Sequence, residues 1–189
     1  GYDNGYSITL DAAGNTYVTG SFTGAANFGS IELNSGTEEV FVAKYNQAMD
    51  LIWAKQVGGP GPDRGNSISA DAGGNTYVTG AFSGTATFGS YQLVASGGFD
   101  MFLAKFNAVG DVVWAKTAGS ASIDAEAGTA VKVDAAANVY VTGHFAATTS
   151  FGTTDLTSAG GTDIFITKYS ASTGDVLWAK SAGGIENEN

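Results

Sequence analysis

Few side chains in this sequence combine a reactive type with the spacing that catalysis requires. The single histidine, His144, has Ser21 and Ala81 at the matching places of two related segments, and the chain has no cysteine. A catalytic or metal-binding histidine usually needs further ligands or an activated nucleophile, so we interpret His144 as a surface residue. The sequence shows no Gly-x-Ser-x-Gly elbow, Walker loop or paired-carboxylate motif. We therefore predict no catalytic residues and no cofactor.

Three recurring aspartates are weak candidates for a metal site: Asp11, Asp71 and Asp134, each followed four residues later by an asparagine. Calcium binds six to eight oxygens, which one carboxylate per turn does not supply, and the spacing is not that of an EF-hand. An aspartate at the start of a turn can accept hydrogen bonds from backbone N–H groups. We predict that these residues cap turns and hold no metal. The acids before glycine in the linkers are interpreted in the same way: Asp3, Asp63 and Glu126.

The elements that position these residues form three related segments of about 60 residues. Gly-Asn-Thr-Tyr-Val-Thr-Gly occurs twice, and the third copy reads Ala-Asn-Val-Tyr-Val-Thr-Gly. A fixed period with small length changes is typical of repeat proteins, and we place the repeats at 1–59, 60–120 and 121–189. The expected structural anchors are one tyrosine, one phenylalanine and one tryptophan per repeat: Tyr17, Tyr77, Tyr140, Phe41, Phe102, Phe165, Trp53, Trp114 and Trp178.

Each repeat predicts four short antiparallel strands and no helix. Runs such as 40–45 and 51–55 are rich in β-branched and aromatic residues and are bounded by Gly, Asn and Asp. Four short strands per repeat is what a β-propeller blade requires, so we predict an all-β fold of three blades. The stretch 23–36 is expected to form a small hairpin or a long loop at one rim. Ala137 stands where the other copies have glycine, which predicts a slightly different or mildly strained turn.

Six of the seven lysines fall at two repeat positions: Lys44, Lys105, Lys168 and Lys55, Lys116, Lys180. An acid lies five residues before each lysine of the first set: Glu39, Asp100 and Asp163. These groups could form a charged ring at a propeller mouth. The alternative, which we favour, is cross-strand pairing that contributes about a few tenths of a kcal/mol per pair.

The recurring motifs give the sequence a family resemblance. The pattern Asp-x-x-Gly-Asn-x-Tyr-Val-Thr-Gly, then Phe-Gly, Phe-x-x-Lys, Trp-Ala-Lys and Gly-Gly, resembles the SBBP family, bacterial repeats predicted to form seven-bladed β-propellers. The resemblance implies a secreted or surface-attached protein and implies no established activity. The segment 172–178 is similar to the tryptophan docking motif of quinoprotein propellers, in which tryptophan joins neighbouring blades. We therefore interpret the three tryptophans as blade-packing residues.

Composition and charge exclude some partners. The net charge is −10, with seven lysines and one arginine, so the chain lacks the clustered cations that a nucleic-acid-binding face needs. No apolar run reaches the length of about 20 residues that a membrane helix requires, and we predict no membrane insertion. The chain opens at a glycine without a signal peptide, so we expect it to be a mature or excised piece of something longer.

The leading functional hypothesis is a non-catalytic extracellular β-propeller module that acts as a binding or structural scaffold. The variable rim stretches 34–39, 94–99 and 154–162 would carry specificity for a protein or glycan. The alternatives are a hydrolase with a site in the central channel and a subunit of a filament or surface layer. Closed propellers typically have 4–8 blades, so three repeats predict completion by further blades or by head-to-tail self-association, which we favour.

Overall fold

A computed structural model describes residues 1–186 as twelve strands in three four-stranded antiparallel sheets. The first sheet contains β1 (Asp3–Leu10), β2 (Thr16–Phe28), β3 (Ile31–Tyr45) and β4 (Leu51–Val57). The second contains β5 (Asp63–Ala70), β6 (Thr76–Phe88), β7 (Tyr91–Phe106) and β8 (Val112–Ala118). The third contains β9 (Ala127–Val133), β10 (Asn138–Phe151), β11 (Thr154–Ser170) and β12 (Val176–Ala182). In each sheet the strands are neighbours in chain order.

The all-β architecture predicted from the repeats is confirmed. Over residues 1–186 no helix is long and apolar enough to cross a membrane. The first strands of consecutive sheets contact one another, β1 with β5 and β5 with β9. In addition, β5 contacts β2, and β9 contacts β6. Sheets that meet through their first strands are arranged as the blades of a propeller, with those strands nearest the central axis. We call the three sheets blade 1, blade 2 and blade 3.

The two middle strands of each blade are longer than the sequence predicted. They run for 13 to 17 residues, whereas the first and last strands have seven or eight. The stretch 23–36, expected as a separate hairpin or loop, instead continues β2 and β3 up to the turn at Gly29 and Ser30. A bulge interrupts the pairing, so the outer part of the hairpin changes direction without leaving the sheet.

The apolar core lies between the blades. Tyr17, Val42 and Trp53 of blade 1 pack with Ile68 and Phe102 of blade 2 in one cluster of buried side chains. A second cluster joins blade 2 to blade 3 in the same way. Because side chains alternate between the two faces of a strand, blade 2 contributes one set of residues to each of its two neighbours. The outward faces of blades 1 and 3 have no neighbour within the described chain.

Candidate functional site

The three recurring aspartates cap the turn between the first two strands of each blade. Asp11 Oδ1 accepts hydrogen bonds from the backbone N–H groups of Ala13 and Asn15, both at 2.9 Å. Its Oδ2 accepts one from Asn15 Nδ2 at 2.8 Å and lies 2.9 Å from the Tyr17 hydroxyl. Asp71 and Asp134 make the same set of contacts in their own blades. The carboxylate oxygens therefore have protein donors on both sides, which favours the interpretation as turn caps.

The electrostatics of this turn follow from those hydrogen bonds. Burial alone would raise the pKa of Asp11, but the donors from Asn15, Tyr17 and the backbone outweigh it and hold the pKa below the usual value. Burial and the neighbouring Asp11 carboxylate raise the pKa of Tyr17, so the phenol stays protonated and can donate. Within residues 1–186 no group of three or more His, Asp or Glu side chains is arranged to hold a metal ion.

A tryptophan and a lysine join blade 1 to blade 2, and a second such pair joins blade 2 to blade 3. Trp53 Nε1 donates to the carbonyl oxygen of Ala108 at 3.2 Å, and Lys44 Nζ donates to the same oxygen at 3.3 Å. At the second junction Trp114 and Lys105 both donate to the carbonyl of Ala171, at 3.2 and 2.9 Å. The acceptor lies in the loop between the third and fourth strands of the following blade. We call this pair of donors and its shared carbonyl the tryptophan lock.

The tryptophan lock includes a glycine against which the indole packs. A Cβ atom added to Gly110 would lie 2.9 Å from Trp53 Cδ2, and one added to Gly174 would lie 2.8 Å from Trp114 Cδ2. Both glycines have positive φ, at 87° and 71°. Glycine is therefore favoured here for two reasons, the left-handed backbone and the close approach of the indole. Within each blade the lysine ammonium also lies over the tyrosine ring, with Lys44 5.1 Å from the centre of Tyr17.

The third set of lock residues has no partner blade among the described residues. Trp53 and Trp114 are 6% and 5% exposed, whereas Trp178 is 37% exposed. Tyr140 is half-buried, although Tyr17 and Tyr77 are fully buried. The phenylalanines Phe41, Phe102 and Phe165 are buried in all three blades. The structure thus places eight of the nine expected anchors in buried or half-buried positions and leaves the ninth at the open end.

The recurring lysines do not pair with the acids that precede them. Two ion pairs occur in the described part of the chain, Arg64 with Glu38 and Lys116 with Asp175, and both connect different blades. The prediction of cross-strand acid–lysine pairs was therefore wrong. Two lysines of the first set, Lys44 and Lys105, donate to carbonyl groups of the next blade instead.

Buried acids form a second recurring feature of the junctions. Asp63 of blade 2 is fully buried, with one oxygen 2.7 Å from the N–H of Gly59. Burial and, to a smaller extent, the nearby Glu39 raise the pKa of Asp63 to about 7, although backbone donors act in the opposite direction. Asp100 and Glu126 are also fully buried at the second junction. Asp63 and Glu126, which we interpreted as ordinary turn residues, are thus buried between blades.

Two carboxylate oxygens at the second junction lack protein partners. Asp100 Oδ1 and Glu126 Oε2 are buried without a hydrogen bond in the described structure. Burial raises the pKa of Asp100, and burial together with the charge of Asp100 raises the pKa of Glu126. A protonated carboxyl is favoured where the charged form would be desolvated and close to another negative charge. This junction therefore has an acidic pair whose charge opposes folding at high pH.

The rim consists of bulges that pack on the connections between blades. Residues 36–38, 95–98 and 158–161 bulge out of the third strands, and all three bulges lie within the stretches predicted to vary. Thr37 Oγ1 donates to the carbonyl of Gly59 at 3.0 Å, and Gly98 N donates to that of Ser122 at 3.0 Å. The connection 119–126 carries Ile123 at 93% exposure. The first two bulges and the connections that follow them form two surfaces with different sequences.

His144 is half-buried on β10, where burial lowers its pKa. It is thus less exposed than predicted, and it lies opposite Ile164 and Ala127 of the neighbouring strands. Among the described residues no acid, hydroxyl or second histidine donates to it or accepts from it. Nothing in its surroundings activates it as a base or a metal ligand.

The fold and its junctions define a β-propeller repeat protein. The sequence profile of the SBBP family, described as a beta-propeller repeat, matches residues 52–81. These residues run from β4 to β6 and cross the first junction. Residues 52–81 therefore match an SBBP repeat, which confirms over this part of the chain the resemblance predicted from the motifs.

A second similarity points to the same class of protein. An uncharacterized WD repeat-containing protein of Acanthamoeba polyphaga mimivirus is 28% identical over 139 residues. The match covers 60% of this chain and 10% of that protein. The chain therefore spans a small part of the relative that it resembles.

Proposed function

We propose that the chain is a non-catalytic extracellular propeller module that presents its rim to a protein or glycan partner. One observation carries the proposal: the tyrosine, lysine and tryptophan of the tryptophan lock recur in every repeat, whereas the bulges and connections at the rim differ. In scaffolds of this kind rigid elements hold their position and exposed loops carry binding. The extracellular location is supported by the resemblance to SBBP repeats.

The rim beside the second junction is the strongest candidate for the binding surface. Its connection 119–126 is the longer of the two blade-to-blade connections, and it ends at the buried Glu126, so it is fixed at its base. Ile123 projects from it almost fully exposed. A fixed loop that exposes a large apolar side chain loses little conformational entropy on binding.

A glycan array together with a panel of extracellular matrix proteins would test this proposal. We expect the immobilised chain to bind at least one probe, and Ile123→Ser to weaken that binding at least tenfold. Val109→Ser removes a comparably exposed apolar side chain from the loop before β8 and should leave binding unchanged. Turnover of nitrophenyl esters or glycosides, or equal effects of the two substitutions, would contradict the proposal.

The module also needs neighbours for its two outward faces. Three blades leave the apolar residues of both ends exposed, among them Ile8 and Leu10 of blade 1 and Ile166 of blade 3. Exposed apolar faces of this kind mark interaction surfaces. We propose that the propeller is completed either by further blades of a longer protein or by head-to-tail association of copies.

A further inference from the structure

The outward face of blade 3 contains an apolar depression of about 420 Å³, which we call the end socket. It is lined by residues of all three inner strands of the blade, among them Tyr140, Thr142 and Ile166. Ile166 is 46% exposed, while its repeat counterparts Val42 and Leu103 are fully buried. The end socket is therefore the surface that blades 1 and 2 cover with the next blade.

The internal junctions show what fills such a socket. The first strand of the following blade contributes one β-branched side chain, Ile68 at the first junction and Val131 at the second, and these are 4% and 6% exposed. The following blade also supplies the carbonyl and the glycine of the tryptophan lock. Trp178 and Lys168 remain in place for this lock, since the Tyr140–Trp178 ring distance of 6.3 Å matches the 6.1 Å of the buried Tyr77–Trp114 pair.

We propose that the end socket docks a further blade of the same repeat, with glycine at the lock position, and that the chain's own blade 1 is excluded. This inference rests on the proposed completion of the propeller and chooses between its two forms. The occupant must carry Ile or Val on its first strand. In the loop before its fourth strand it must carry a small residue followed by a left-handed glycine.

Blade 1 meets the first of these requirements. Ile8 stands at the position of Ile68 and is 64% exposed, so it is free to enter a socket. Gly5 corresponds to Gly65, where a Cβ atom would lie 2.4 Å from Thr19 Oγ1 of the preceding blade. These features match the end socket of another copy.

The lock loop of blade 1 does not match. Met49 occupies the position of Gly110 and Gly174, with the same left-handed backbone at φ 64°. Because a Cβ at that position would approach the indole to about 2.8–2.9 Å at both internal junctions, the methionine side chain would push Trp178 of a docked copy out of place. Gln47 replaces the small Ala108, and its side chain donates to the carbonyl of Ala13 in its own blade. Gln47 and Met49 therefore prevent blade 1 from forming the tryptophan lock with Trp178 of another copy.

The end socket differs from the socket of blade 2 at two positions of the first strand. Ser67 Oγ and Ser69 Oγ accept the backbone N–H groups of Val131 and Val133 at 3.1 and 3.2 Å. The corresponding places of blade 3 hold Ala130 and Lys132, which have no hydroxyl. Docking on blade 3 therefore depends on the apolar socket and the tryptophan lock. This makes a change in the lock loop a sensitive test.

Light scattering of the full chain on a sizing column tests the exclusion. We expect the wild-type chain to remain monomeric at micromolar concentrations. The Gln47→Ala, Met49→Gly variant should self-associate at least about tenfold more tightly, as a closed pair or an open chain. Adding Trp178→Ala to that variant should return it to the monomer. A Trp178-dependent dimer of the wild-type chain would overturn the exclusion, and a monomeric double variant would overturn the lock.

A mixing experiment separates docking from folding defects. The triple variant Gln47→Ala, Met49→Gly, Trp178→Ala has an open lock loop but no indole donor, so it should form a one-to-one complex with the wild-type chain. Near-UV circular dichroism of each chain alone should show that all are folded. Absence of the mixed complex would overturn the proposal, while the binding assay based on Ile123 would be unaffected by that result.

Discussion

Trp114 and Trp178 occupy the same position in adjacent repeats, yet one is buried at a junction and the other lies at an open face. Inside their blades they are nearly identical, because each packs on a tyrosine, and the lysine lies 5.5 Å from Tyr77 in one blade and 5.4 Å from Tyr140 in the other. They differ in what the next blade supplies, which is an acceptor carbonyl and a glycine. The blade therefore forms the donor side of the lock by itself, and a neighbour only covers it.

The largest effect should come from placing a side chain inside the lock. Gly174→Ala adds a Cβ atom 2.8 Å from Trp114 to a residue with φ 71°. We expect a loss of about 2–4 kcal/mol in unfolding free energy, from the left-handed backbone and from overpacking. Urea unfolding at pH 7 measures it.

Gly84→Ala is the matched control for this substitution. Gly84 has a similar φ of 66°, but a Cβ atom there would have no neighbour within 4 Å. Only the backbone penalty of about 1–2 kcal/mol applies. Equal losses for the two variants would show that the close contact with Trp114 contributes nothing.

Removing the indole tests how much the following blade contributes to the stability of a covered tryptophan and of an uncovered one. Trp114→Phe should lower the unfolding free energy by about 1–3 kcal/mol, because buried area and a hydrogen bond are lost. Trp178→Phe should cost less than about 1 kcal/mol, since that ring is already partly exposed. If the two variants lost the same stability, the tryptophan would be stabilised by contacts within its own blade alone, and the following blade would contribute nothing.

A third test uses the buried acids of the two junctions, Asp63 at the first and Asp100 and Glu126 at the second. For an acid whose folded pKa is raised, the stabilising contribution is complete below the unfolded pKa and disappears as pH rises through the folded pKa. Burial raises the pKa of Asp63 to about 7, and it also raises those of Asp100 and Glu126. The stability of the chain should therefore fall as pH rises from about 4 to 8.

Asp100→Asn should reduce that fall and stabilise the chain by about 1–2 kcal/mol at pH 8, since a buried charge beside Glu126 is removed. The amide oxygen can still accept from the N–H of Ser96, as Oδ2 does at 2.9 Å. Asp3→Asn is the control because Asp3 is the exposed counterpart of Asp63 in blade 1. Melting temperatures across this pH range decide the matter, and identical profiles for all three chains would contradict the prediction.

The sequence predicted most of what a blade does within itself. The spacing of Tyr, Phe and Trp was enough to identify the repeats, the strands and the anchors, because these contacts are local to about 60 residues. The turn caps at Asp11, Asp71 and Asp134 followed from residue type alone. These are features that recur in every copy and depend on short-range structure.

Contacts between repeats were harder to predict, although one signal was present. Glu39 and Lys44 are five residues apart, and residues an odd number apart in a strand point to opposite faces. That spacing argued against the acid–lysine pair and placed the lysine beside Trp53 of the adjacent strand, its partner in the pairing register. The burial of Asp63 and Glu126 depends on the packing of the previous blade, which no local pattern encodes.

Met49 shows how a repeat comparison can reveal an interface. Its glycine counterparts in the other copies were visible in the sequence, but the reason for glycine was not. Only the distance between Gly110 and the Trp53 indole explains why a side chain at that position matters. The geometry of the internal junctions therefore explains why methionine in place of glycine matters at this position.

The smallest predicted effect concerns the turn between β9 and β10 of blade 3, the blade that has no following neighbour among the described residues. Ala137 occupies the left-handed position that Gly14 and Gly74 fill in the other blades, with φ 58° against 77° and 75°. Its N–H still donates to the carbonyl of Asp134 at 3.0 Å, so the turn is intact. The strain expected from the sequence is thus confined to the backbone of one exposed residue.

Ala137→Gly should raise the unfolding free energy by about 0.5–1 kcal/mol, because relief of the left-handed penalty outweighs the added entropy of the unfolded chain. Gly74→Ala is the reverse substitution at a junction, where the new Cβ atom would lie 3.1 Å from the Tyr17 hydroxyl. It should destabilise by more than Ala137→Gly stabilises. Thermal unfolding of both variants at pH 7 gives the two values, and equal and opposite shifts would mean that the neighbouring blade adds nothing to the cost of a side chain in this turn.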